Sequence, residues 1–554
     1  MMENEKNICL YSKPEWKKYN SISQKRSFIY RIEGNKVFIK EGVFENEYEL
    51  YTNKSINKLA EKTKNDQIPI SNGFIFLKDD STKINTTKKI LFRFCVVLGY
   101  SSNSEFVNLS FYKSTIDVNF GLCHFNNPPK SKIAQCLSFS DCIIWNLQFN
   151  FCKFVNEVNF SDCKDSDSIS FDNCSNKKGE LEREDRNVNK ISIRSCEFEW
   201  LSISAMPNKK SELKEFDIDD AKINDISIMN TDLDYLHFSV CNIGKFLCLG
   251  SINSLVFISS ILNDNFTTTL PEKYFKNPYI IKQIKMLDCT VNFPLRLEKF
   301  KGSILDLSKN SFNNDLSISF DKKNITQKKP NDTSENNQNI LVLNHSNLKH
   351  ITTIDTSNID KIFMLGTKIF GYLFLTPNNF LFLRDKLDHT GFVKDNDRKK
   401  IFKNKKSQYL LLCDAYKKNG EFENEDLAWV EYMKVSGKLS KCYIKPLYYF
   451  LDILGKFGTS IRRILFSITI VLLFFSFLYY LLDIVNTKSI MLNRSLTTYC
   501  DYLYFSIVTF ITIGYGDLAP LHWIARLLAC FEGFLGVFLI AYMTIAVFRK
   551  FTRK

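Results

Sequence analysis

Histidine is scarce in this sequence, with six residues dispersed along 554. No Ser/His/Asp cluster and no glycine-rich nucleotide fingerprint accompanies them, so neither an enzyme nor a cofactor is expected. No CxxC pair and no HxxxH spacing occurs, which leaves no expected structural metal site despite sixteen cysteines. Glycine and proline are also sparse, at 20 and 12 against 49 phenylalanines. So little turn chemistry beside so many bulky rings points to a repetitive interior rather than a loop-rich enzyme. The chain is too long for one compact core, so two or more domains are expected. With 45% apolar and 24% charged residues it is not a wholly disordered chain. A net charge of +14 asks for an anionic neighbour, either nucleic acid or a membrane.

Charge itself is missing from two stretches near the C-terminus. Ile464 to Val485 reads ILFSITIVLLFFSFLYYLLDIV, uncharged until Asp483, and Trp523 to Phe548 carries only Arg526 and Glu532. A helix needs about 20 apolar residues to cross the hydrocarbon core. Both stretches are therefore predicted to span a lipid bilayer, in the plasma or inner membrane. The polar start, MMENEKNICLYSKPEWKK, has no signal-peptide character. Lys456, Arg462 and Arg463 precede the first span, and Arg549, Lys550, Arg553 and Lys554 follow the second. Only Lys488 and Arg494 lie between. This bias predicts a multi-pass protein with both termini in the cytoplasm. Cytoplasmic thiols stay reduced, so the cysteines are read as buried and unpaired. Arg549 and Lys550 are read as headgroup anchors. Neither span is an arginine-rich voltage sensor.

Between the spans, Asp501 to Pro520 reads DYLYFSIVTFITIGYGDLAP. Its core, Thr512-Ile513-Gly514-Tyr515-Gly516-Asp517, resembles the potassium-channel selectivity filter. The span–pore-loop–span order resembles a two-transmembrane potassium channel, over about the last hundred residues. The residue types make physical sense on their own. A dehydrated K+ needs a cage of oxygens in place of its water shell, and backbone carbonyls supply one. Aiming successive carbonyls at one axis requires unusual φ/ψ at alternate residues, which Gly514 and Gly516 adopt cheaply. Thr512 adds a hydroxyl, Ile513 is a β-branched stand-in for the commoner valine, and Tyr515 is expected to brace the strand. Asp517 is placed at the outer mouth, and Tyr499 to Ile511 forms a short pore helix. Tyr504 and Phe505 stand where the family often has tryptophan. One subunit offers one carbonyl per layer, so a homotetramer is expected, with K+ as permeant ion and no other cofactor. Glu532, ionisable inside a span, is read as filter support or as a titratable gate element. Gly533 and Gly536 allow either an inner-helix bend or close helix packing.

Upstream, Leu447, Phe450, Leu451 and Leu454 share one helical face beside Lys445 and Lys456. This predicts an amphipathic helix on the inner leaflet, or a buried connector. Tyr409, Leu412, Cys413 and Tyr416 make a second stripe, ended by Asn419-Gly420. Trp429, Tyr432 and Met433 make a third, so a helical hairpin is expected.

The long N-terminal region repeats a unit of large apolar, two residues, small, one residue, large apolar. Examples are Phe120-Cys123-Phe125, Phe139-Cys142-Ile144, Phe149-Cys152-Phe154 and Phe238-Cys241-Ile243. A spacing of five fits neither a helix nor a flat strand. It resembles the pentapeptide-repeat family, which implies a right-handed quadrilateral β-helix with the cysteines stacked inside. The stretches Asn176–Lys190 and Lys322–Asn339 are expected to loop out. The expected organisation is multidomain: 1–91 a cap or accessory region, 92–376 the cytoplasmic β-solenoid, 377–440 a helical hairpin linker and 441–463 the interfacial helix. Residues 464–554 form an α-helical two-transmembrane pore domain, with spans 464–485 and 523–548 and pore helix plus filter 499–517. The expected activity is passive, potassium-selective transport, gated through an unknown cytosolic ligand or protein at the solenoid. A membrane-tethered solenoid scaffold or signalling protein with a degenerate pore is the alternative. Nucleic acid is not expected as a partner, since the repeats lack basic–aromatic surface motifs.

Overall fold

The computed structural model describes residues 17–21, 26–41, 44–64, 67–77, 84–126, 135–155, 157–172, 174–177, 190–205, 213–267, 281–321, 339–375, 398–485, 490–492 and 498–553. The chain divides into two compact units, Met1–Phe382 and Leu383–Lys554. The first is strand-rich and the second helical. Most of each expected loop-out (178–189 and 322–338) lies outside the described residues.

The first unit opens as an antiparallel meander. Strands Lys17–Asn20, Ser27–Glu33, Lys36–Glu41 and Phe44–Thr52 pair in succession. Helix α1 (Asn53–Lys62) follows, begun by a capping box between Thr52 and Ser55. Pairing then turns parallel: Glu49 faces Gly73, Ile70 faces Phe92 and Phe74 faces Val96. The parallel ladder thus starts ahead of residue 92, where the sequence repeat became legible. Ile70-Gly73-Ile75 is the same unit with glycine in the small position.

Register explains the repeat. One column runs Ile70, Phe92, Phe111, Phe139, Phe160, Ile193, Ile218, Phe238, Phe257, Met286, each paired with the next. All are buried. The rings of Phe111, Phe139 and Phe160 stack 4.8 and 4.7 Å apart at interplanar angles of 1° and 5°. That distance is the spacing between neighbouring strands. Each buried ring contributes about 1.5–3 kcal/mol relative to exposure, so the column is a main source of cohesion.

A second column holds the small residues Cys95, Ser114, Cys142, Cys163, Cys196, Ala221, Cys241, Ser260 and Cys289. The residue just before each one is left-handed, from Phe94 (φ 52°) and Lys113 (φ 48°) through Asp141 (φ 55°), Ser195 (φ 50°) and Val240 (φ 55°) to Asp288 (φ 57°). The chain bends there. An L-residue in this conformation costs about 1–2 kcal/mol, and the bend recovers a hydrogen bond to the next strand. Lys113 N–H donates to Ser140 O at 3.0 Å, Asp141 N–H to Ser161 O at 2.9 Å and Ser195 N–H to Asp219 O at 3.0 Å. The small side chain closes the bend by donating to the carbonyl two residues back: Cys196 to Arg194 at 3.0 Å, Ser114 to Tyr112 at 3.0 Å, Cys241 to Ser239 at 3.2 Å. Thiol and hydroxyl both serve, so cysteine and serine interchange in the column, and Ala221 fills its place by size alone.

Burial pushes the column's thiols up, Cys95 and Cys289 to about 11 and Cys241 to about 12, and lifts Cys248, outside the column, to about 12 as well. They remain protonated where an unfolded thiol, at about 8.5, would ionise. Stability from this source is intact below about pH 8.5 and falls as pH rises toward 11 and 12. Two outcomes are expected. Maleimide at neutral pH labels exposed Cys442 and spares the column until denaturant is added. The thermal unfolding midpoint drops between about pH 8 and pH 10.

In the second unit, α2 (Arg398–Asn419) and α3 (Phe422–Leu439) form the hairpin, with Gly420 left-handed at the turn (φ 74°). Tyr409, Leu412, Cys413 and Tyr416 are buried, as their spacing predicts. On α3 the buried residues are Ala428, Val430, Val435, Ser436 and Gly437, while Trp429, Tyr432 and Met433 are only half-buried. Helix α4 (Lys445–Gly455) ends in three left-handed residues, Lys456, Phe457 and Gly458, that turn the chain into α5 (Ile461–Val485). Helix α6 (Tyr499–Phe510) and α7 (Trp523–Thr552) complete the unit. Both α5 and α7 contain a segment long and apolar enough to cross a membrane. Helix α4 is part connector and part surface helix. Its Ser467 and Tyr542 contacts, to Leu454 O at 3.0 Å and Leu451 O at 3.3 Å, tie it to α5 and α7. Leu447, Tyr449, Phe450 and Ile453 remain exposed.

Candidate functional site

Helix α6 starts at a capping box, Thr498 with Asp501, and runs apolar to its C-terminus. There Ile511, Thr512 and Ile513 N–H groups donate back to Ile507, Thr509 and Val508 at 3.0, 3.1 and 3.0 Å. The helix therefore stops at Thr512, which is left-handed (φ 57°). Gly514 (φ 62°) and Gly516 (φ 79°) are left-handed too, while Ile513 and Tyr515 keep negative φ. Left-handed and ordinary residues thus alternate along 512–516.

Residues 511–517 are all exposed in the single chain, Ile513 at 47% and Tyr515 at 69%. The Tyr515 side chain makes no hydrogen bond among the described residues. The Thr512 hydroxyl donates to its neighbour's carbonyl, Ile511 O, at 2.6 Å. Asp517 interacts with the Tyr504 side chain, linking the C-terminal end of the loop to α6. A short antiparallel pair, Ile490–Leu492 with Leu518–Pro520, holds the chain beyond it.

Glu532 lies behind this loop and is fully buried. Tyr479 of α5 donates to its Oε2 at 2.7 Å, and Ser506 of α6 lies 2.5 Å from its Oε1. One carboxylate thereby joins three helices. The sequence singled out Glu532 but missed both partners. Their only signal was a hydroxyl in an apolar helix.

A family model for ion channels matches residues 467–553, from α5 through the loop to the end of α7. No solved structure matches the chain. Over these residues the C-terminal region is similar to ion-channel domains.

Within this region the two glycines of α7 differ. A Cβ on Gly536 would sit 2.1 Å from the Phe510 carbonyl oxygen, whereas one on Gly533 meets nothing closer than 3.7 Å. Gly536 is a close-packing contact between α7 and the end of α6. Gly536→Ala is expected to destabilise the domain by about 1–3 kcal/mol through overpacking. Gly533→Ala is expected to be neutral or to gain up to about 1 kcal/mol of helix propensity. Thermal unfolding of both variants in detergent checks the contrast.

The end of α7 departs from the sequence reading. Arg549, read as a headgroup anchor, turns instead onto the first turns of α3, and Arg553 joins it there. Arg549 Nη2 lies 2.9 Å from Asp426 Oδ1, and Arg553 reaches Glu425 Oε1 at 3.0 Å and Asp426 Oδ1 at 2.6 Å. Arg549 also covers the Trp429 ring at 5.3 Å, and Arg553 the Phe422 ring at 5.6 Å. Lys550 is exposed. This cluster joins the end of α7 directly to the hairpin.

Proposed function

We propose that this protein is a potassium-selective channel subunit that assembles as a homotetramer. The alternating left-handed residues Thr512, Gly514 and Gly516 carry this reading. Four such loops around an axis present rings of carbonyl oxygens from Thr512, Ile513, Gly514, Tyr515 and Gly516, which replace the hydration shell of K+. Asp517 supplies carboxylates at the outer mouth. The apolar exposure of Ile513 and Tyr515 in a single copy supports assembly, since irregular backbone at membrane depth must be buried in protein or line a water path. Closed cyclic symmetry then favours the tetramer.

The strand-rich unit is read as a right-handed, pentapeptide-repeat-like β-solenoid in the cytoplasm, with both termini on that side. Parallel register at about twenty residues per step, as from Ile218 to Phe238, and the bend before each small residue support it. It is read as the receiver of a cytosolic ligand or protein, with the α2–α3 hairpin passing that signal to the end of α7. No enzymatic step, cofactor or nucleic-acid partner enters this reading. The decisive measurement is a reversal potential with K+ and Na+ on opposite sides of a reconstituted bilayer. A potential near the K+ equilibrium value supports the proposal; equal permeation of the two ions removes it.

A further inference from the structure

Helices α2, α3 and α4 line an open groove of about 430 Å³, within the size range of small-ligand sites. Its wall is cationic: Lys405, Lys434, Lys438 and Lys445 face two carboxylates, Glu431 and Asp452. Glu431 is already engaged by Lys434 at 2.9 Å. Lys438 lies over the Phe402 ring at 5.2 Å, a contact that fixes the ammonium without neutralising it. Lys445, at the first turn of α4, is exposed and has no ion pair among the described residues.

Tyr449 lines the groove and is 72% exposed, and it shares the outward surface of α4 with Leu447, Phe450 and Ile453, exposed by 51%, 40% and 55%. A cationic recess continuous with an exposed apolar strip is complementary to an anionic head on a hydrocarbon tail. The strip lies one turn before α5, whose exposed Arg462 and Arg463 stand where the chain would enter the bilayer. A soluble phosphate compound matches the lysines but leaves the strip uncovered. The geometry points to a site for an anionic phospholipid, with its headgroup among Lys405, Lys434, Lys438 and Lys445 and its acyl chain along α4. This inference rests on the reading that α4 lies at the inner leaflet, and not on ion selectivity.

The test uses the full chain in neutral detergent, titrated with dioctanoyl phosphatidylglycerol or dioctanoyl phosphatidylcholine, with retained lipid counted by native mass spectrometry. Phosphatidylglycerol is expected to be retained in preference to phosphatidylcholine. Lys438→Glu with Lys445→Glu should raise its half-saturating concentration by about tenfold or more, given the worth of a lysine against an anionic lipid surface. Tyr449→Ser should weaken lipid retention while leaving the oligomer unchanged. Free glycerol phosphate should not compete. Equal retention of the neutral lipid, or unchanged binding in the double variant at unchanged helix content, overturns the inference. Competition by glycerol phosphate at matched concentration reassigns the site to a soluble anion and overturns it as well. So does a Tyr449→Ser variant that alters only oligomer size, since that places a second copy on the strip. Should the double variant misfold, Lys445→Gln, a neutralisation at an exposed position, carries the same comparison. Loss of K+ selectivity with lipid binding intact would remove the channel proposal and leave this one standing.

Discussion

Gly514→Val and Gly516→Val are expected to abolish potassium current while leaving assembled protein at wild-type yield. Both positions are left-handed, at φ 62° and 79°. A side chain there costs about 1–2 kcal/mol per residue, hence roughly 4–8 kcal/mol for a ring of four. A β-branched side chain stands at the high end of that range. The strain is relieved by rotating the peptide, which takes a carbonyl off the axis and removes one ring of ion ligands. The fold should survive, because an added Cβ meets nothing within 4 Å at either glycine. Conformation, and not crowding within the subunit, is the point of failure. At 1.4 kcal/mol per tenfold, conduction should fall by more than about a hundredfold. Ile513→Val is the internal control, since it keeps a β-branched residue at negative φ and should conduct. Macroscopic current from reconstituted variants, beside size-exclusion profiles, reads both arms. Unchanged selective current in Gly514→Val would mean that this loop does not coordinate the ion.

That prediction uses the part of the molecule the sequence disclosed most fully. Two charge-poor stretches and one glycine-spaced loop are local patterns, and backbone chemistry at Gly514 and Gly516 follows from residue type. The phenylalanine and cysteine columns were legible for the same reason, since stacking puts identical chemistry at every layer. The bend residues were not. Phe94, Lys113, Asp141, Ser195 and Val240 share a conformation but no side-chain property, so nothing in their identity marks them. The early start of the parallel ladder was hidden by Gly73, which fills the small position without belonging to the cysteine, serine and threonine set. The Asn242–Asn263–Asn292–Asn313 ladder, bonded at 2.5, 2.9 and 2.6 Å, was lost among an abundance of asparagine. Least visible were contacts between distant segments. Glu532 was conspicuous as an ion in a span, yet its partners Tyr479 and Ser506 lie on other helices. Arg549 and Arg553 looked like any basic helix end until α3 was seen beside them.

Charge reversal at that helix end has the second largest expected effect. Two arginines and two carboxylates balance in a site where all four side chains are at most 29% exposed, and Trp429 and Phe422 cover the guanidinium groups. Partial desolvation makes each charge-assisted bond worth about 1.5–3 kcal/mol, well above a surface pair. Helix α7 is continuous from Trp523 to Thr552, so a displacement of its end is carried along the helix that lines the proposed pore. Asp426→Arg sets three cations together against Glu425 and should drive the end of α7 away from α3. The open-to-closed ratio is then expected to shift by about tenfold or more. Adding Arg553→Asp rebuilds an opposed pair with the charges exchanged, and should return the ratio toward wild type. Rescue by exchange separates an ionic tether from a general packing defect, which the second substitution would only worsen. Single-channel open probability for the two single variants and the exchanged pair reads the coupling. An open probability indifferent to Asp426→Arg, or an exchanged pair no better than either single variant, would place the gate's control elsewhere than at this junction.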